Sequence, residues 1–144
     1  MKKEYSYGII PIYKDKNGNI EILLIQNKNG NHRGFPKGHM ESGENGIETA
    51  VRELLEETGL IAQNIQKIDT KELYIDYSKQ KETGEPIEKH VGYFIGYINS
   101  KDIKIQKEEI NNSIRLPLDQ IEGQITHQSA KDILKEVKEI ILHS

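Results

Sequence analysis

The feature that most restricts the fold of this chain is a change of hydrophobic period partway along it. From Ile47, the residues Ile47, Ala50, Val51, Leu54 and Leu55 recur at three- and four-residue intervals, the spacing of one helix face, and Gly59 stands ready to end that helix. The flanking segments read as strands. "YSYGIIPIYKDKNGNIEILLIQN", residues 5–27, holds two apolar runs, and Asn17-Gly18 between them predicts a tight hairpin, since both residues tolerate positive φ. "IQKIDTKELYIDY" and "EKHVGYFIGYI" read as two longer strands, paired as a hairpin through the charged segment around "SKQKETGEP". "THQSAKDILKEVKEIILHS" closes the chain as a helix, with Ile133, Leu134, Val137, Ile140 and Ile141 on one side and Ser129 with Asp132 as its start signal. Strands before and after one loop-helix unit, followed by a closing helix, predict an α/β fold with a mixed sheet between flanking helices.

The chain's 144 residues suit one domain, expected to span residues 1–144. Twenty Lys and Arg against 23 Asp and Glu leave a net charge of -3, which does not favour binding to long nucleic acids. A phosphorylated small molecule would need local cations instead. With no cysteine, disulfides, zinc-thiolate sites and thiol nucleophiles are excluded. No segment is long and apolar enough for a membrane span, and the start, "MKKEYSYGIIPIY", is too polar for a signal peptide, so a soluble cytoplasmic protein is expected.

Two clusters of acceptors invite a metal. Asp15, Asn17 and Asn19 echo the opening of a calcium loop, but Ile20 replaces the required glycine and Gln26 the required glutamate. Glu53, Glu56 and Glu57 form the second. With Ile47 at zero on a helical wheel, Glu57 falls near about -80°, Glu53 near about -120° and Glu56 near about 180°, beside and opposite the apolar stripe. A solvated glutamate-rich face is one account of them. The other is a hard divalent cation, because Arg52 is the only cation between residues 46 and 60, and a carboxylate cluster without His or Cys suits Mg²⁺ or Mn²⁺. The preceding loop, "KNGNHRGFPKGHMESGENG", carries Arg33, Lys37 and His39 among five glycines and shows no sustained period. Cations facing a metal-loaded acidic helix suit a phosphate anhydride.

"GHMESGENGIETAVRELLEETGL", residues 38–60, resembles the signature box of the Nudix hydrolases: Gly38, Glu44, Arg52, Glu53, Leu54, Glu56, Glu57, Gly59 and Leu60 all match its pattern. The order of elements is similar to that family's α/β/α sandwich. The resemblance implies hydrolysis of a nucleoside diphosphate linked to another group. Glu53, Glu56 and Glu57 would hold Mg²⁺, the Gly38 carbonyl would help, and Arg52 and Glu44 would fix loop and helix. The residue activating water would be a glutamate of the box, Glu53 or Glu56, or one from a later loop, for which Glu108 and Glu109 are candidates.

"GFPKGHMESGE" resembles the entry loop of the asymmetric diadenosine tetraphosphate hydrolase branch and of the related inositol pyrophosphate hydrolases. Tyr74 and Tyr77 past the box, and Lys89, Val91, Tyr93 and Phe94 further on, are similar to the first. On that resemblance Lys37, His39, Tyr77, Lys89 and Tyr93 would bind substrate. A ring can stack on adenine and a lysine can meet phosphate, although tyrosines in strands commonly serve packing. One departure is Arg33, which stands where many relatives have tryptophan. His90 and His127 read as strand or loop polar residues. The expected reaction yields ATP and AMP from the dinucleotide. The alternatives are nucleoside triphosphate pyrophosphatase activity and a nucleotide-sensing domain without turnover.

Overall fold

The computed structural model describes residues 1–27, 33–100, 102–104, 110–125 and 128–143. Its core is one sheet of eight strands: β1 Lys2–Lys14, β2 Ile20–Asn27, β3 Arg33–Gly34, β4 Lys37–His39, β5 Ala62–Lys67, β6 Glu72–Asp76, β7 Ile87–Ile98 and β8 Ile110–Pro117. β1 and β7 form a long parallel pair, Lys2↔Ile87 to Tyr13↔Ile98, and the other pairings are antiparallel, so the sheet is mixed. The helices are α1 Gly46–Thr58, α2 Gln80–Thr83 and α3 Gln128–Leu142, with two 3-10 turns, Leu118–Gln120 and Glu122–Gln124.

Alternation along β1 decides which helix covers which face. Ile9 joins Leu23, Ala50, Leu54 and Leu60 under α1, whereas Ile10 and Ile12 join Val91, Tyr93, Ile133, Leu134 and Val137 under α3. Leu54 and Ile133 are fully buried, each contributing about 2 kcal/mol by removal from water. The expected α/β/α sandwich is therefore present.

The sheet is split where the site forms. β2 pairs with β1 only through Ile12↔Ile22 to Lys14↔Ile20. Further along the same edges, β4 takes β1 at Ser6 to Gly8 and β3 takes β2 at Ile25 and Gln26. The loop expected to lack regular structure thus contributes two short strands that wedge β1 and β2 apart, with Ile9 N–H donating to the Pro36 carbonyl at 3.2 Å.

Other expectations need amendment. The first hairpin turn spans Asp15 to Asn19, and Gly18 alone has positive φ, at 84°. Asp15 Oδ1 accepts from the Asn17 and Asn19 N–H groups at 2.9 Å, so the residues that echo a calcium loop stabilise the turn instead. The segment read as one strand after the box is two, β5 and β6. Both pair with β7, β5 at Ala62↔Ile98 to Lys67↔Phe94 and β6 at Glu72↔Val91 to Asp76↔Ile87. Ser129 lies inside the first turn of α3, where its hydroxyl donates to Glu72 Oε2 at 3.0 Å.

Candidate active site

α1 begins at a capping box: Asn45 Oδ1 accepts from Glu48 N–H, and Glu48 Oε1 accepts from Asn45 N–H, each at 2.9 Å. It ends at Gly59, in the left-handed region at φ 76°, as expected. The helix is rolled, however, away from its apolar stripe. Ile47 and Leu55 are 38% and 45% exposed, while Glu53 and Glu57 are only 4% and 3% exposed. The buried arc of Thr49, Ala50, Glu53, Leu54, Glu57 and Thr58 is centred roughly 80° from the stripe, on the carboxylate side.

Two contacts account for the roll. The Glu53 carboxylate lies against Gly38 of β4: a Cβ there would come within 2.1 Å of Glu53 Cδ and 2.4 Å of both carboxylate oxygens. Only glycine leaves that space. Arg52 ties helix to loop. Its Nε and Nη2 donate to Glu44 Oε2 at 2.6 Å and Oε1 at 3.0 Å, and Nη2 also reaches the His39 carbonyl at 2.9 Å. Nη1 donates to Glu53 Oε1 at 2.8 Å and Glu56 Oε2 at 3.1 Å. The sequence left the acids of α1 with only Arg52 to relieve them; the fold has that arginine engage Glu44, Glu53 and Glu56 together. Its hydrogen bond to Glu44, with those from Glu41 N–H and Thr49, holds the Glu44 carboxyl down at about 2. The same partner raises the Arg52 guanidinium further above its ordinary value.

A cavity of about 510 Å³ opens beside these groups. Its inner wall holds Phe35, Val91, Tyr93, Ile125 and Ala130, all from the core under α3. Since α1 packs on the other face, Glu53 and Glu57 reach this cavity at the split edge of the sheet. Lys37, Gly38, His39 and Lys89 also line it. The structure thus brings together Lys37, Gly38, His39, Glu53, Glu57, Lys89 and Tyr93 of the residues expected from sequence. Arg52 and Glu56 are not among the lining residues; both are joined to Glu53 through the Arg52 guanidinium. Tyr77 follows β6, is 63% exposed and is not among the lining residues, whereas Tyr74 is. His90 stacks on Tyr5 at 4.9 Å and meets Glu88 at 2.9 Å, outside the cavity. Glu108, Glu109 and His127 lie outside the described residues.

Sequence reasoning missed Glu72. This carboxylate is 3% exposed in the cavity wall, with Lys37 Nζ at 3.6 Å and the Tyr93 hydroxyl donating to it at 3.4 Å. Burial, with Glu72 adding its charge, pushes the Tyr93 phenol well above its ordinary value, so it remains a donor. No sequence signal marks it, because the alternation is inverted here: Leu73 is 55% exposed while Glu72 points inward. Glu4 was also missed. It is bonded to Lys89 and lies 3.4 Å from His39 Nε2.

Among the described residues, no three acidic or imidazole side chains converge as a ready-made metal cage. Glu53 and Glu57 nonetheless line one cavity with Gly38, which the Glu53 carboxylate crowds, and this set offers only hard oxygen donors, which fit a cation such as Mg²⁺ or Mn²⁺.

A family model described as NUDIX domain matches residues 2–137. Rat bis(5'-nucleosyl)-tetraphosphatase [asymmetrical] is 33% identical over 105 residues, covering 72% of this chain and 68% of the relative. The protein of the same name from Sus scrofa is 33% identical over 130 residues, covering 87% and 83%. A C. elegans Ap4A hydrolase, solved as a binary complex, superposes with a TM-score of 0.78 at 23% identity, covering 98% of this chain and 99% of that one. At that identity the superposition speaks for the fold.

Proposed function

The chain belongs to the NUDIX family and is a Nudix hydrolase, and from that premise we propose that it cleaves diadenosine tetraphosphate asymmetrically to ATP and AMP, using Mg²⁺ or, in its place, Mn²⁺. One contact carries the reading: the Glu53 carboxylate crowded against Gly38 in the wall of a cavity large enough for a nucleotide. The two relatives named as asymmetrical tetraphosphatases support the choice of substrate.

In this reading the Gly38 carbonyl, Glu53, Glu56 and Glu57 hold the cation. When bound, it supplies charge neutralisation at the phosphate oxygens and a more acidic water. Arg52 keeps Glu53 and Glu56 in place and fixes the box loop through Glu44 and the His39 carbonyl. The proton of the attacking water passes to a glutamate, Glu53 or Glu56 of α1 or Glu109 beyond it. Lys37, His39 and Lys89 line the path of the phosphate chain. Tyr93 forms the inner wall, edge-on to Phe35 with centroids 5.5 Å apart, and Tyr77 reaches the nucleoside from outside. Residues 1–144 act as one domain on a small nucleotide in the cytoplasm. No described helix is long and apolar enough to cross a membrane.

The test is product analysis with Mg²⁺ and a nucleotide panel. AMP and ATP in equal amounts from the dinucleotide bear the reading out. Pyrophosphate from a triphosphate, with the dinucleotide untouched, replaces it by a triphosphate pyrophosphatase. Binding without product makes the chain a sensor.

A further inference from the structure

The basic groups that line the cavity are unequally available to an anion. Lys89 is bonded to Glu4 and has Asp76 Oδ2 at 4.0 Å. His39 Nε2 faces the same Glu4 at 3.4 Å, and Lys37 Nζ lies 3.6 Å from the buried Glu72. Each of the three meets a carboxylate. Arg33 of β3 also lines the cavity, and its Nη1 donates to the amide oxygen of Gln124, a neutral acceptor. Among the described residues no acidic side chain pairs with Arg33.

The chemistry of that group is specific. A guanidinium offers five donors in one plane and keeps its charge at any pH the protein survives. With one donor spent on Gln124, the others remain for the paired non-bridging oxygens of a phosphate, which a planar fork matches. Gln124 ends the 3-10 turn Glu122–Gln124, 91 positions along the chain, next to the cavity-lining Ile125. It therefore fixes the arginine from a second, unrelated element without cancelling its charge.

We propose that Arg33 is the principal phosphate-binding cation of the cavity, and that Gln124 is the positioning residue that orients its guanidinium while leaving it uncompensated. This inference rests on the reading above, that the cavity receives a phosphate chain. Lys37, His39 and Lys89 then act in surroundings already balanced by Glu72, Glu4 and Asp76, and the net attraction for the incoming anion comes from Arg33.

Two variants of the full chain test it. Arg33→Ala removes the group. Gln124→Glu keeps an acceptor for Arg33 but places a countercharge on it, so the tether survives while the availability of the guanidinium does not. The probe is the α,β-methylene analogue of ADP, which has no cleavable anhydride, titrated calorimetrically with Mg²⁺ present. Both variants are expected to bind it about tenfold more weakly than wild type. In turnover assays Gln124→Glu should raise KM with kcat retained and leave the melting temperature equal or higher. A merely structural contact predicts the opposite, wild-type affinity in Gln124→Glu, and that result overturns the proposal, as does a wild-type protein that does not bind the analogue. If both variants weaken binding while wild type cleaves no dinucleotide, the role of Arg33 stands and the substrate assignment fails instead.

Discussion

Replacing Gly38 by alanine probes the contact on which the site is built. The added Cβ would stand 2.1 Å from Glu53 Cδ, against an ordinary carbon–carbon separation of about 3.5 Å. The carboxylate must retreat by about 1.4 Å or β4 must shift, and Glu53 is held by Arg52 Nη1 at 2.8 Å. Overpacking of this kind costs about 1–3 kcal/mol, or about 3–10 °C in melting temperature for a domain of this size. The effect on catalysis should be larger, since a displacement of about 1 Å at a reacting centre costs on the order of 100-fold. Gly123→Ala is the control, because nothing lies within 4 Å of the Cβ it would gain. Calorimetric melting and the Mg²⁺-dependent rate on diadenosine tetraphosphate measure both effects. A Gly38→Ala protein with wild-type kcat, stable or not, would refute the argument that this glycine exists to admit the Glu53 carboxylate.

The remaining expectations concern charge and tethering. Glu56→Gln should abolish turnover with the circular dichroism spectrum unchanged, because its side chain is 42% exposed; retained activity would remove Glu56 from the cation set. Glu44 has a folded pKa of about 2, below its unfolded value, so its contribution to stability is complete above pH 4.5 and lost as pH falls toward 2. The acid-unfolding curve of Glu44→Gln should therefore be flatter than that of wild type across that window, and coincident curves would contradict the pairing with Arg52. Glu136 accepts from Asp69 N–H and Thr70 N–H, both at 2.8 Å, and so ties α3 to the corner between β5 and β6. Glu136→Ala should lose about 1–3 kcal/mol in denaturant unfolding while KM stays unchanged.

These perturbations fall where sequence and structure part company. The extent of α1 was legible because Gly59 is a local signal and the apolar spacing is helical. The helix's roll was not, because hydrophobic periodicity assumes that the apolar face is the buried one. Ile47 and Leu55 are left half exposed here because Arg52 and Gly38 draw Glu53 inward, and neither Gly38 nor Glu44 is near Glu53 in sequence. The break between β5 and β6 depends on Glu136, more than 60 positions away. The box residues were legible as a set since their spacing is fixed by one loop and one helix. Glu4 and Glu72 were not, because each is made significant by a lysine on another strand, Lys89 for Glu4 and Lys37 for Glu72. Lys89 is expected from sequence to bind substrate, and the structure gives it two carboxylate neighbours that the sequence does not reveal.

The most direct measurement is the initial rate of phosphate-anhydride cleavage by EDTA-stripped protein as free Mg²⁺ is restored. The account predicts no product without the ion and a saturable rise to AMP and ATP with it, absent throughout in Glu56→Gln. Cleavage that persists in EDTA, or a metal-replete wild-type chain that leaves every nucleotide intact, would contradict it.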